Sequence, residues 1–201
     1  MNLEKYKIIL ASQSPSRKKL LNEVFSKYNL TFEIQVSDVN EDELKSKITN
    51  ITELVQELSY LKTVDIWNKN KDYYDNLVVI GADTMAFLNN EFLGKPHTKE
   101  NAIDMLTKLN NKSHDVYTGM TIVIQTNKNA NITKYLTKSV VTMKNNSDKD
   151  ILEYVNSEEP LNKAGGYAVR ENGMKYIKDV KGSIDSIAGL DTKLLETILF
   201  K

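Results

Sequence analysis

Residues 8–21 read IILASQSPSRKKLL, an apolar run that gives way almost at once to a helix start. The run from Lys7 to Ala11 reads as a short buried strand. Ser14-Pro15 pairs an N-cap with a proline at the first helical position, and the predicted helix continues through Leu20, Leu21 and Val24. A strand that feeds directly into a helix commits the start of the chain to an α/β unit.

The rest of the chain extends that pattern. Residues 32–36 resemble a second strand. Ile51, Leu54, Val55, Leu58, Leu61 and Val64 recur at helical spacing, which predicts a long amphipathic helix over residues 52–68. LVVIGAD, residues 77–83, reads as a central strand ending in a carboxylate, and Asn89-Asn90 as a hairpin turn between MAFL and EFL. Residues 98–109 read as a helix. Residues 116–125 and 132–143 are strand-rich, joined by the turn-like NKNAN. Ser147-x-x-Asp150 is a capping-box start, and a last helix is expected near Thr192–Phe200. No linker, repeat or low-complexity tract divides the chain. Strands and helices alternate early and strands cluster later, so the expected fold class is α/β: a mixed sheet with helices packed on it.

Composition removes several chemistries. The 201 residues contain no cysteine and two histidines, which excludes disulfides and thiol nucleophiles and disfavours a histidine-rich zinc site. Any metal is expected to be a hard cation on carboxylates. The 27 basic and 27 acidic residues cancel, so a nucleic acid partner is not expected. No apolar run approaches a membrane span, and charge interrupts MNLEKYK at once, so a soluble cytoplasmic protein is the expectation. All the basic residues except Arg17 and Arg170 are lysine. Arginine's planar fork suits bidentate phosphate or carboxylate binding in a way lysine cannot copy, a reading that favours Arg17 over survival in a lysine-rich composition and leaves Arg170 balanced between the two.

The residues able to do chemistry fall at a few places. Ser12, Ser14, Ser16 and Arg17 surround a helix N-terminus, where unpaired N–H groups and a partial positive charge favour an anion such as phosphate. The plainer alternative is capping by Ser14, with Ser12 and Ser16 solvated. Asp83, at the end of its strand, is placed to bind Mg²⁺ or to act as a base toward water, or else to cap the next turn. Thr84 beside it orients that carboxylate, touches substrate, or packs. Lys95 in FLGKP is a point charge aimed by its flanking glycine and proline, or one more surface lysine. Glu41 lies in the acidic VNEDEL, which also reads as a solvated loop. Lys62 lies in LSYLKT, where it either meets a ligand or snorkels to water. His114 reads as a hydrogen-bonded structural residue, and the paired glycines of AGGY as close backbone approach or a tight turn. No GxxxxGK[ST], GxGxxG or GxSxG motif occurs.

LASQSPSRKKLL, GADT, GKP, HDVYTG, EEPLNKAGGYAV and KGSIDSIAGL, in that order, resemble the motif set of the Maf family of nucleoside triphosphate pyrophosphatases, historically linked to septum formation. The likeness runs over residues 8–190. It implies one Maf-like domain over residues 1–201, with two lobes around a central cleft on an extended mixed sheet, an architecture related to inosine triphosphate pyrophosphatases. It implies hydrolysis of a nucleoside triphosphate to the monophosphate and pyrophosphate with a divalent cation, Mg²⁺, Mn²⁺ or Co²⁺. By position, Asp83 matches the family's proton acceptor, Ser12 and Arg17 its phosphate-loop residues, and Glu41, Lys62 and Lys95 its other cleft residues. The expected metal ligands are Asp83 and Glu41. ADT with AGGYAV resembles the branch acting on dTTP and UTP, and the resemblance also suggests a homodimer.

Three positions depart from the family pattern: Ser16 stands where arginine is common, Arg170 where glutamine is usual, and Asp191 where proline is usual. Ser16, Thr84 and Arg170 fall at positions linked to substrate choice. The competing expectations are an inosine/xanthosine-type pyrophosphatase and a nucleotide-binding regulator of cell division that does not hydrolyse.

Overall fold

The computed structural model describes residues 2–201. Lys7–Ala11 forms strand β1, and Ser14 caps helix α1, Pro15–Ser26, by accepting from the backbone N–H of Arg17. Strand β2, Glu33–Gln35, pairs parallel to β1 with Ile9 opposite Glu33. The acidic VNEDEL segment does not remain a loop. Asn40 caps a short helix α2, Glu41–Lys47, whose first turn carries Glu41, Asp42 and Glu43 at the end where the helix dipole favours negative charge. Helix α3, Ile51–Asn70, starts at the Asn50 cap and outruns the expected span slightly at both ends.

Strand β3 corrects the sequence reading. It runs Leu77–Leu88, so Asp83 lies inside the strand and not at its end. The extension is fixed by antiparallel pairing with β4, Glu91–Leu93, which sets Ala86 opposite Leu93. Asn89 and Asn90, at φ 49° and 65°, close this hairpin as the sequence suggested. Such a turn needs positive φ at both central residues, a region that asparagine tolerates.

Helix α4, Lys99–Leu109, follows the Thr98 cap. Strands β5, Ser113–Thr126, and β6, Asn129–Met143, are longer than their apolar cores and turn at Asn127-Lys128, both at positive φ. The expected capping box opens α5, Asp148–Asn156. Strand β7, Ile177–Lys181, the short α6, Ile184–Ile187, and α7, Thr192–Phe200, complete the chain. The seven strands form one mixed sheet in the order β2-β1-β3-β5-β6-β7, with β4 on β3. The mixture follows from the connections: helical crossovers give the parallel β1–β2 and β1–β3 pairs, and the tight turn gives the antiparallel β3–β4 pair. Among the described residues no helix is long and apolar enough to cross a membrane.

The chain divides into two compact units. The first holds the chain through Asp83, with Thr118–Thr137 and Gly189–Lys201. Its core includes Ile9, Ala11, Ile66, Leu77, Val79 and Val123, and Phe25 meets Phe32 and Phe200 edge-on. The second unit, Thr84–Tyr117 and Lys138–Ala188, packs Leu106, Leu109, Val116, Met143, Tyr154 and Tyr167.

Two glycines of the first unit decide how near α3 lies to the sheet. A Cβ on Gly81 would overlap the Thr63 hydroxyl, and one on Gly119 would overlap the Val55 carbonyl. Any larger residue there moves the helix or strains it. We expect Gly119→Ala to lower stability by about 1–3 kcal/mol, read by urea unfolding. Gly94→Ala, whose added methyl meets nothing within 4 Å, should stay within about 0.5 kcal/mol of wild type.

Candidate functional site

Because side chains alternate along a strand, Gly81 and Asp83 share one face of β3. Gly81 abuts α3 at Ser59 and Thr63, and Lys62 precedes Thr63 on that helix. The glycine contact therefore carries Lys62 to Asp83. Lys62 Nζ donates to Asp83 Oδ1 at 2.7 Å and lies 2.7 Å from Glu41 Oε1. Lys62 and Asp83 are buried, at 9% and 6% exposure, so Lys62 bridges two acids instead of snorkelling to water. Glu41 reaches this point from the first residue of α2 and also pairs with Lys45 at 3.3 Å. Burial works to raise the Glu41 carboxyl, but the Lys62 ammonium, helped by Lys45, outweighs it and holds the pKa at about 2.

Arg17 supplies the second cation. Its Nε donates to the Gly189 carbonyl at 2.9 Å and its Nη1 to Ser12 Oγ at 3.3 Å. Withdrawal of the guanidinium from water pushes its pKa down, against the opposing pull of Asp83 and Glu41. Ser12 is buried, and its oxygen also accepts from the Ser14 N–H at 3.1 Å. Pro15 has no N–H, and capping by Ser14 engages that of Arg17. The positive character of this turn thus rests more on the Arg17 side chain than on backbone donors. Ser16 lies in the same first turn of α1.

Ser12, Ser14, Arg17, Glu41, Lys62 and Asp83 therefore gather in the first unit, as a cluster whose formal charges of Arg17, Glu41, Lys62 and Asp83 cancel. Thr84, Lys95 and Arg170 belong to the second unit. There Lys95 is exposed, and Arg170 Nε stands 3.7 Å from Asp185 Oδ1.

One contributor escaped the sequence reading, and the departure at Asp191 acquires a structural role. Gly189, at φ 122°, holds Arg17 through its carbonyl, and a Cβ there would sit 3.2 Å from Arg17 Cγ. The signal was present in IAGL, but nothing local says that the arginine lies against it. Asp191 caps α7 through Oδ1 to the Leu194 N–H, while Oδ2 accepts from Thr137. Aspartate in place of the family's usual proline thus supplies a cap.

His114 stands apart, as expected of a structural residue. It is 3% exposed, its Nε2 lies 2.8 Å from the Tyr167 hydroxyl, and burial pushes its pKa down to about 4 despite Asp115.

Fold and site together define a mixed-sheet α/β protein with a buried, charge-balanced cluster of acids and bases beside a strand-to-helix turn. The chain belongs to the Maf family, whose model, described as Maf-like protein, matches residues 7–201. The resemblance read from the ordered motifs is borne out. A dTTP/UTP pyrophosphatase of Methanococcoides burtonii is 37% identical over 193 residues, covering 96% of this chain and 93% of that protein. One from Lachnoclostridium phytofermentans is 35% identical over 187 residues, covering 92% and 89%. One from Clostridium botulinum strain Alaska E43 is 35% identical over 193 residues, covering 96% and 97%. A solved HAM1 protein from Coxiella burnetii covers 96% of this chain at TM-score 0.44 and 14% identity, too distant a likeness to carry chemistry across.

Two outcomes follow. Gly189→Ala should both lower the urea midpoint, through backbone strain at φ 122°, and weaken nucleotide binding about tenfold by crowding Arg17, since a charge-assisted contact is commonly worth that much. For His114, the unfolded chain binds a proton near pH 6.5 and the folded one near pH 4. Its contribution to stability is full above pH 6.5 and is lost as pH falls toward 4, by on the order of 3 kcal/mol. Urea midpoints across that window should fall less in His114→Gln than in wild type.

Proposed function

We propose that this protein hydrolyses nucleoside triphosphates, dTTP and UTP foremost, to the monophosphate and pyrophosphate. Family membership and the relatives' names support the reading. The observation that carries it is the Lys62 ammonium held between Asp83 and Glu41 at 2.7 Å each, with Arg17 in the same electrostatic field. That arrangement offers a positioned base and cations for a polyanion in one buried place.

In this reading Arg17 and the Ser12 hydroxyl bind phosphate oxygens at the α1 turn. Before the nucleotide arrives, Lys62 donates to Asp83 Oδ1 and so holds the carboxylate's orientation. Asp83 Oδ2 accepts a proton from the water whose oxygen bonds to the α-phosphorus. The bond from that phosphorus to the bridging oxygen breaks, and pyrophosphate leaves with charge that Arg17 stabilises; Lys95 is carried as a further phosphate-binding residue on the family resemblance alone. On the family resemblance, Thr84, Ser16 and Arg170 are the positions proposed to bear on base preference.

A divalent cation, Mg²⁺, Mn²⁺ or Co²⁺, belongs to the same proposal. Among the described residues no group of three or more His, Asp or Glu is arranged to hold a metal. Mg²⁺, however, commonly takes one or two protein carboxylates and completes its shell with water and substrate phosphate. Asp83 and Glu41, converging on one point, fit an ion that arrives with the nucleotide, and they would hold it. When bound, such an ion polarises phosphate oxygens and neutralises their charge. The cluster carries no net charge of its own, so a triphosphate brings negative charge that a further cation must meet. Cytoplasmic location, expected from the charge pattern of the sequence, and a homodimer, suggested by the family resemblance, complete the proposal.

The test is pyrophosphate release across a panel of canonical and deaminated triphosphates with Mg²⁺, Mn²⁺ and Co²⁺. dTTP and UTP should lead. Preference for ITP or XTP would overturn the base assignment, and dTTP binding without release would favour the regulator. Asp83→Asn should lower kcat by about 10²- to 10⁴-fold with the fold retained.

A further inference from the structure

Lys62 holds an unusual position for a lysine. Its stem is buried in α3, and its Nζ lies 2.7 Å from both Asp83 Oδ1 and Glu41 Oε1. These are the two carboxylates assigned above to a divalent cation. An ammonium and a metal ion cannot both use the lone pairs that face this gap, because each needs the same oxygens and the two cations repel. We propose that Lys62 is the built-in cation of this site. In the nucleotide-free protein its ammonium stands where a divalent ion would stand, and the ion gains both carboxylates only when a triphosphate offers the ammonium another anion.

This rests on the metal reading above and deepens it into an order of binding. Moving Lys62 off its two partners would leave a desolvated ammonium and a desolvated Asp83 carboxylate beside the half-exposed Glu41, a costly state unless the buried pair finds new partners at once. A metal ion alone satisfies the carboxylates and strands the ammonium. A metal–triphosphate complex satisfies both, since its phosphate oxygens pair with Lys62. Metal and nucleotide therefore bind with positive coupling, and each tightens the other by the same factor. Glu41 Oε2 is meanwhile held by Lys45, which further lowers the negative charge open to a lone ion.

The probe is Mn²⁺ alone, followed by loss of its free electron paramagnetic resonance signal at pH 8 without nucleotide. Wild type should bind weakly. Lys62→Met keeps the buried stem and removes the charge, so its Mn²⁺ affinity should rise about tenfold or more, as cation sites do when their net ligand charge grows. Lys62→Arg keeps the charge and should stay as weak as wild type, and Lys62→Met with Glu41→Gln should lose the gain. Circular dichroism confirms folding, and Lys62→Gln carries the test if Lys62→Met unfolds. Mn²⁺ affinity unchanged by removing the ammonium, or tight binding to wild type alone, overturns the proposal. Pyrophosphate release is scored separately. A wild type that hydrolyses dTTP while the Lys62 variants bind Mn²⁺ no tighter sinks this inference and leaves the pyrophosphatase reading standing. A tighter Mn²⁺ site in a protein that releases no pyrophosphate supports the inference and sinks that reading.

Discussion

The site depends on one buried contact, the ammonium of Lys62 shared between Asp83 and Glu41. A charge taken out of water is tolerated only where partners replace its hydration, and here each of the three groups is the partner of another. The constraint reaches outward from there. Lys62 can span the distance because α3 lies close on β3, and it lies close because Gly81 has no side chain to hold it off. Asp83 can face the helix because it sits two residues along the same strand face. Glu41 can close the bridge because Asn40 starts a helix there, fixing the backbone from which the carboxylate reaches.

Arg17 shows the same constraint within the cluster. Its guanidinium is desolvated, which weakens its hold on its proton, yet the two carboxylates oppose that shift. Ser12 and Gly189 accept from it, so the arginine is oriented before any ligand arrives. Orientation in advance is how a site reduces the cost of ordering groups on binding. The α1 turn that looked like a backbone anion cradle is in large part a scaffold for this side chain, since proline and the Ser14 cap remove two of its N–H groups from service.

Much of the fold was legible because it is written in local signals. The Ser14-Pro15 start, the Asn89-Asn90 turn, the Ser147-Asp150 capping box and the Thr98 cap each depend on residues within a few positions of one another. The misreadings share a cause. LVVIGAD reads as a strand ending in its carboxylate, but pairing with β4 carries the strand on to Leu88. VNEDEL looked like a solvated loop because its acids dominate the composition, while the cap at Asn40 and the dipole favour a helix. Lys62, in LSYLKT, reads as meeting a ligand or snorkelling, and no local feature shows that it bridges two acids.

By itself the sequence determined the α/β class, the element order, the family, and the residue types able to meet a polyphosphate. Those follow from periodicity, caps and ordered motifs, all short-range in the chain. Only the tertiary structure decided that Lys62 belongs between Asp83 and Glu41, and that Arg17 rests on Gly189, 172 residues away. Such contacts are set by how closely a helix and a strand pack, and that distance is fixed by side chains the chain leaves out, as at Gly81, as much as by those it carries.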